Sequence, residues 1–385
     1  MMVDLLYYFN PEHDMAMANF TPYYKAPAEI ARMAADLSVL PAWYADEGAA
    51  VKVDALARVR EWESPLLPAG VEWTDEWLPV PCSPWGWNPA LAHALQGVMP
   101  SHLLPDEVRL SRLRYLSGRQ RCVEVLKAFA DCSFTCGEAE VCGSVKEVQA
   151  FMENRGDTLL KAPWSGSGRG LVHVSPETWN ASVEGWTARI IRTQGAVMAE
   201  PYYNKVSDFA MEFRADGKGG VTFVGYSLFE TDAFGNYKAN LLLSNEEIER
   251  RLATFVPVEW LHAVRVRLLE VFLSLLGSDY TGYLGVDMMV CRQAETTYVL
   301  HPCVEINLRM NMGVVARLLT DRYVASGSQG RYVTEHYRVD EEALNFHQRM
   351  CREFPAVVSG GRLVSGYLSL TPVRLDTRFQ AYVFI

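Results

Sequence analysis

The segment LLKAPWSGSGRGLVHV, residues 159–174, limits what this chain can fold into more than any other. Glycines at 166, 168 and 170 interleave with Ser165, Ser167 and Arg169, so backbone N–H groups can approach an anion with no Cβ in the way. LLK precedes the loop and LVHV follows it, and both read as strands. That context excludes two familiar phosphate loops. A Walker A loop ends in Gly-Lys followed by Ser or Thr, which is missing here. A dinucleotide fingerprint must open a helix. A glycine hairpin between two strands fits a lid over phosphates, with Lys161 at the end of the first strand as a point charge. Standing alone, an ordinary mobile hairpin turn has the same signature.

A second cluster lies downstream. Asp287 sits in GYLGVDMMV, and Glu305, Asn307 and Arg309 sit in HPCVEINLRMN. Strand residues i and i+2 share a face, so the last three line up, and the short polar turn RQAET brings Asp287 beside Glu305. Two carboxylates and an amide oxygen form an oxygen-only site, suited to Mg²⁺ or Mn²⁺ bridging nucleotide phosphates. A solvent-facing row paired with Arg309 is the alternative. The apolar flanks favour an enclosed strand, where carboxylates need a cation or donors. Between the clusters, VMAEPYYNKVSDFAMEFR (197–214) is extended and apolar. Glu200 and the backbone near Tyr202 and Tyr203 suit an adenine edge, and Asp208 suits ribose hydroxyls; by itself the segment reads as a strand with a polar turn.

Composition sets the outer bounds. At roughly 150 residues per domain, 385 residues suggest two or three units, and 49% apolar residues supply a substantial core. A net charge of −10 argues against a nucleic-acid partner. No apolar run is long enough to span a membrane, and MMVDLLYYFNPEHD lacks the basic start of a signal peptide; a cytoplasmic location is expected. The eight cysteines then read as reduced thiols. Cys122, Cys132, Cys136 and Cys142 lie close together without a Cys-x-x-Cys pair, so buried apolar thiols are expected rather than a zinc site.

Along the chain, residues 3–9 read as a buried strand, 27–36 as a helix opening with proline and 39–43 as a second strand. PVPCSPWGWNPALAHAL passes from strand to loop to helix, with Asn88 as N-cap. Residues 106–130 have helical periodicity, 196–230 are strand-rich, and 245–276 are helical with a break near Pro257. The C-terminal region reads as a helix near 313–324 and strands near 365–371 and 380–385.

Taken in order, Lys161 with its SGSGRG loop, Glu200-Pro-Tyr-Tyr, Asp287 and Glu305-Ile-Asn307-Leu-Arg309 resemble the ATP-grasp family, which includes D-alanine–D-alanine ligase and biotin carboxylase. The resemblance runs from about residue 110 to 320 and implies a fold of mixed α/β and α+β class. An N-terminal α/β substrate domain (1–105) would precede a two-subdomain ATP-grasp fold, with a central glycine-lid subdomain (106–195) and a C-terminal metal-strand subdomain (196–385). It implies ATP contacts from Lys161, Ser165, Gly166, Ser167, Gly168, Glu200, Tyr202 and Asp208. Metal ligation would fall to Asp287, Glu305 and Asn307, with Arg309 stabilising a phosphorylated intermediate. The family places a basic residue, usually Lys, at the start of the central domain; here Arg119 stands in its place, with Arg121 as competitor. The implied reaction is ATP-dependent activation of a carboxylate as an acyl phosphate for attack by an amine or thiol. A relic nucleotide-binding scaffold and a small-molecule kinase are the alternatives. Partners would be small molecules, with a homodimer as an open option.

Ligands of α/β sheets sit beyond the carboxyl ends of the strands. Asn10, Glu12, His13 and Asp14 follow the first strand and are candidate substrate contacts, as are Lys25, the PWGWN segment, Lys238 and Asn311. Capping or turn roles are about as probable for each of them.

Overall fold

A computed structural model of the chain describes residues 3–165, 170–231 and 237–385. Gly166, Ser167 and Gly168 lie outside the described residues.

Three main sheets follow one another along the chain. The first is parallel, with strands Leu6–Tyr8, Ala50–Lys52, Glu72–Thr74 and Cys82–Pro84 in the order third, second, first, fourth. The direction of winding reverses between the first and fourth strands, which opens a crevice at their carboxyl ends. The loops beyond those two ends meet there: Asn10 donates to the Gly86 carbonyl at 2.8 Å and accepts from its N–H at 3.2 Å.

The strand expected over 39–43 is a 3-10 turn, Leu40–Trp43. Its N–H groups bond three residues back, as from Ala42 to Val39, and Pro41 has no N–H to give a ladder. All four residues are buried, so the apolar run carried no period from which to choose strand over helix. The helix at Ala28–Asp36 forms with Pro27 at its N-cap. Asn88 caps Pro89–Ala94 by accepting from the Leu91 N–H at 3.0 Å.

The glycine hairpin belongs to the second sheet, which is antiparallel. Its order is Glu140–Cys142, Val197–Pro201, Thr158–Lys161, Leu171–Val174. Helices Val145–Arg155 and Ala181–Gln194 supply its own small apolar core.

The third sheet has eight strands. Tyr298–Asn307, Thr281–Arg292, Lys205–Asp216 and Val221–Thr231 form the half that matters for the site. Alternation divides the faces. Phe209, Met211 and Phe213 join the core with Leu284, Val286 and the buried residues of helix Val258–Leu276. Asp208, Ala210, Glu212 and Arg214 therefore point the other way. The periodic stretch at 106–130 is two helices, Glu107–Ser117 and Gln120–Lys127, separated at Gly118, and both contribute to that core.

No helix among the described residues is long and apolar enough to cross a membrane. The cysteines are free thiols.

Candidate functional site

Strand register builds the acidic row. Asp287 pairs with Glu305 on one side and Ala210 on the other; two residues along, Gly285 pairs with Asn307 and Glu212. All six side-chain positions share one face. Glu212 sits there 1% exposed, accepting from Ser227 Oγ at 2.9 Å and Asn311 Nδ2 at 3.2 Å. Gly285 keeps the row open: a Cβ in its place would fall 2.5 Å from both Glu212 Oε2 and Asn311 Nδ2. Burial pushes the Glu212 carboxyl up to about 7. Burial, reinforced by Glu305 and Glu212, pushes Asp287 up to about 8.

The second sheet supplies the cations. The strand Thr158–Lys161 ends with Lys161 Nζ 2.5 Å from Glu200 Oε2, both side chains at least 96% buried, and Nζ also donates to the Val304 carbonyl at 3.3 Å. That last bond ties the base of the hairpin to the strand that carries Glu305. Burial raises the Glu200 carboxyl and Lys161 opposes the shift; the net direction is upward. From Lys205 onward the chain runs in the third sheet, so residues 202–204 are the chain segment that links the two sheets.

Arg119, and not Arg121, reaches the site. Its backbone N–H donates to the Pro163 carbonyl at 3.1 Å, which fixes it at the start of helix Gln120–Lys127. Its guanidinium donates to the Ala162 carbonyl and Ser165 Oγ, both at 2.6 Å, and to Glu305 Oε1 at 2.7 Å. Arg121 turns away onto Tyr115 and Glu124.

Arg309 is held from the N-terminal part of the chain. Its Nε and Nη2 donate to the two Asp14 oxygens at 2.8 and 2.6 Å, and Nη2 also donates to Asn307 Oδ1 at 3.1 Å. Burial pushes the Asp14 carboxyl up, but the Arg309 charge beside it outweighs this and holds it below the usual range. A cavity of about 20 Å³ lies among Asp14, Ser165, Glu305, Asn307 and Arg309. That is room for about one water or small ion.

The remaining expected contacts fall as follows. Tyr202 is exposed, stacks on His173 with ring centroids 3.9 Å apart, and donates its N–H to the Asp157 carbonyl. Asp208 accepts from Lys205 at 2.5 Å and from Thr231 at 3.3 Å. Asn10 is fully buried and its amide is spent on Gly86, so it holds two loops together. Asn311 caps helix Met312–Tyr323 by accepting from Val314. His13 is buried against Gly86, and burial pushes its imidazole down to about 4, so it is neutral near pH 7. Burial raises the Glu12 carboxyl. Lys238 is exposed, three strands across and about four residues along the sheet from Asp287, and so ~20 Å away at the usual strand spacing and rise. Glu212 was missed by sequence reasoning. Its only signal was a lone acid inside the apolar run FAMEF.

The donor set fits a hard divalent cation. Two carboxylates repel each other on a half-buried face, which is a local shortage of positive charge, and Mg²⁺ commonly binds through one or two carboxylates plus phosphates. Among the described residues, no three His, Cys, Asp or Glu side chains close into a metal cage, and Glu305 is turned onto Arg119.

No protein-family model and no curated protein matches the sequence. Solved structures do. A biotin carboxylase–β,γ-ATP complex from Campylobacter jejuni superposes at a TM-score of 0.51 with 10% identity, over 100% of this chain and 87% of that one. A pyruvate carboxylase from Rhizobium etli also gives 0.51, with 11% identity, over 100% of this chain and 36% of that one. An L-amino acid ligase from Bacillus licheniformis gives 0.48 at 10% identity, over 100% and 93%. At these identities the likeness speaks of architecture. The chain has the ATP-grasp fold.

Proposed function

We propose that this chain is an ATP- and Mg²⁺-dependent ligase that activates a carboxylate as an acyl phosphate for attack by an amine or thiol. One observation carries the reading: beside the base of the glycine hairpin, Arg119 reaches Glu305 of the acidic row at 2.7 Å, and Lys161 bonds the carbonyl of Val304 on the same strand. Cations for phosphate oxygens and carboxylates for a metal ion therefore meet in one cleft. The complex in which the Campylobacter biotin carboxylase was solved contains β,γ-ATP, consistent with a nucleotide between these sheets.

Asp287, Glu305 and Asn307 would hold Mg²⁺, which supplies charge neutralisation at the phosphates when bound. Lys161 and Arg119 donate to phosphate oxygens. Glu200 and the Tyr202 carbonyl accept from the adenine amino group, and Asp208 from ribose. A carboxylate oxygen of the substrate bonds to the γ-phosphorus as its bond to the β–γ bridging oxygen breaks, and ADP leaves with that electron pair. The amine nitrogen then attacks the acyl carbon, phosphate departs, and the nitrogen's proton passes to water. Arg309, oriented by Asp14, stabilises negative charge on the transferring group. Ser165, at the start of the glycine loop, would contact a phosphate oxygen.

The test is substrate-dependent ADP release from ATP and Mg²⁺ across a panel of amino acids, dipeptides and small carboxylates, with hydroxylamine as amine. Hydroxamate formation that Glu305→Ala lowers by at least about 100-fold without a change in circular dichroism is the expected result. A phosphorylated product stable to hydroxylamine would indicate a kinase. Tight ATP binding with no ADP from any acid would indicate a scaffold.

A further inference from the structure

The acidic row continues into a much larger space. Beyond Asn307 the same sheet face runs on to the Arg214–Tyr283 pair, and it forms one wall of a cavity of about 670 Å³. The opposite wall is the crevice of the parallel sheet, with Trp85 and Trp87 beyond its fourth strand. Helix Glu107–Ser117 closes a side with Arg109, Leu113 and Ser117, which stand at i, i+4 and i+8 on one helix face. Arg309 lies at the end nearest the carboxylates.

Two properties of this cavity select its occupant. The first is its walls: Trp85, Trp87, Tyr280 and Tyr283 present flat apolar surface, which suits a planar or apolar body. The second is a pair of arginines in its lining, Arg109 and Arg214, whose guanidinium groups have no carboxylate partner among the described residues. Both carboxylates in the lining are engaged: Asp46 accepts from Tyr7 at 3.1 Å, and Asp216 accepts from the N–H groups of Lys218 and Gly220 at 2.7 and 2.8 Å. Arg309 is matched by Asp14. Arg214 and Arg109 make no ion pair among the described residues; the Arg214 guanidinium rests only on the Tyr283 ring, 5.4 Å from its centroid. A planar guanidinium without a counter-ion, seated beside an aromatic wall, is built to take a carboxylate or phosphate in a forked pair.

We infer that the carboxylate substrate carries a second, terminal anion, held by Arg214 with Arg109 at the far end of the cavity while its reacting carboxylate lies at the Arg309 end. This rests on the ligase reading above and deepens it by naming the substrate class. Register sets the reach: the Arg214–Tyr283 pair lies four residues along the strand from the Asp287 row, ~13 Å at 3.3 Å per residue. Arg309, two residues past Asn307, lies nearer to Arg214 than the Asp287 row does, so that span is an upper bound and the two anions are separated by a body no longer than about one aromatic ring with a short linker. The terminal group is a carboxylate or a phosphate.

Isothermal titration of the full chain without nucleotide tests this. Three probes share one skeleton: 3-phenylpropionate, the same acid with a para-carboxylate, and the same acid with a para-phosphate ester. At least one of the two dianionic probes is expected to bind tenfold or more tighter than the monoanion, and whichever does so identifies the terminal group. Arg214→Gln is expected to bring that probe within about threefold of the monoanion, with Arg214→Lys intermediate and melting temperature unchanged. Equal binding of all three probes, binding by none, or an Arg214→Gln variant that keeps the preference would overturn the inference. MgATP titrated separately into the same variants reports on the ligase reading alone, so loss of one result leaves the other standing.

Discussion

Burial that pushes the Glu212 carboxyl up to about 7 makes its charge a cost to the fold. Below the ordinary carboxylate value the protonated group costs nothing. As pH rises from about 4.5 through 7 the stability it allowed is lost. Glu212→Gln should therefore match the wild type at pH 4.5 and exceed it by up to about 3 kcal/mol at pH 8, in urea melts without added divalent cation. A gap that does not change with pH would contradict this. Asp287, pushed up to about 8, gives the opposite dependence for a ligand. A cation must displace its proton, so Mn²⁺ affinity measured by titration should rise about tenfold per pH unit from pH 6 to 8 and flatten above. Asp287→Asn should abolish the slope. Asp14 acts through Arg309, which it grips with both oxygens. Asp14→Asn should lower kcat about 100-fold while the Kd for MgATP moves less than threefold.

Among the elements, the Asn10–Gly86 latch joins the two strand ends where the parallel sheet reverses its winding. Asn10→Ala leaves the buried Gly86 N–H and carbonyl without those partners, and should cost about 2 kcal/mol by urea unfolding. The elements also show what the sequence made legible. The hairpin of Thr158–Lys161 and Leu171–Val174 and the Asp287–Glu305 register could be read, because a period of two and a short turn decide them locally. The 3-10 turn at Leu40–Trp43 could not, because burial on every side erases the period. Glu212 could not either. Its partners Ser227 and Asn311 stand 15 and 99 residues away. Asp14 was visible as one of the polar residues that follow the first strand, but it stands in helix His13–Asn19, and its hold on Arg309 spans 295 residues and exists only after the sheets pack.

At the scale of the whole molecule, the net charge of −10 excludes little about the ligand, because cations are gathered locally. Three cations converge on the cleft and each faces a carboxylate: Arg119 on Glu305, Lys161 on Glu200 and Arg309 on Asp14. On the proposed function, a nucleotide arriving with its metal would exchange partners there: phosphates would take Arg119 and Lys161, and the freed Glu305 would turn to the cation. Binding of nucleotide and of metal should then be strongly coupled. The most direct measurement is calorimetric titration of ATP into the intact chain with Mg²⁺ and again with EDTA, for wild type, Lys161→Met and Glu305→Ala. One saturable site is expected, weakened at least tenfold by EDTA and by either substitution. No binding, or binding indifferent to Mg²⁺ and to both substitutions, would contradict a nucleotide–metal site between the two sheets.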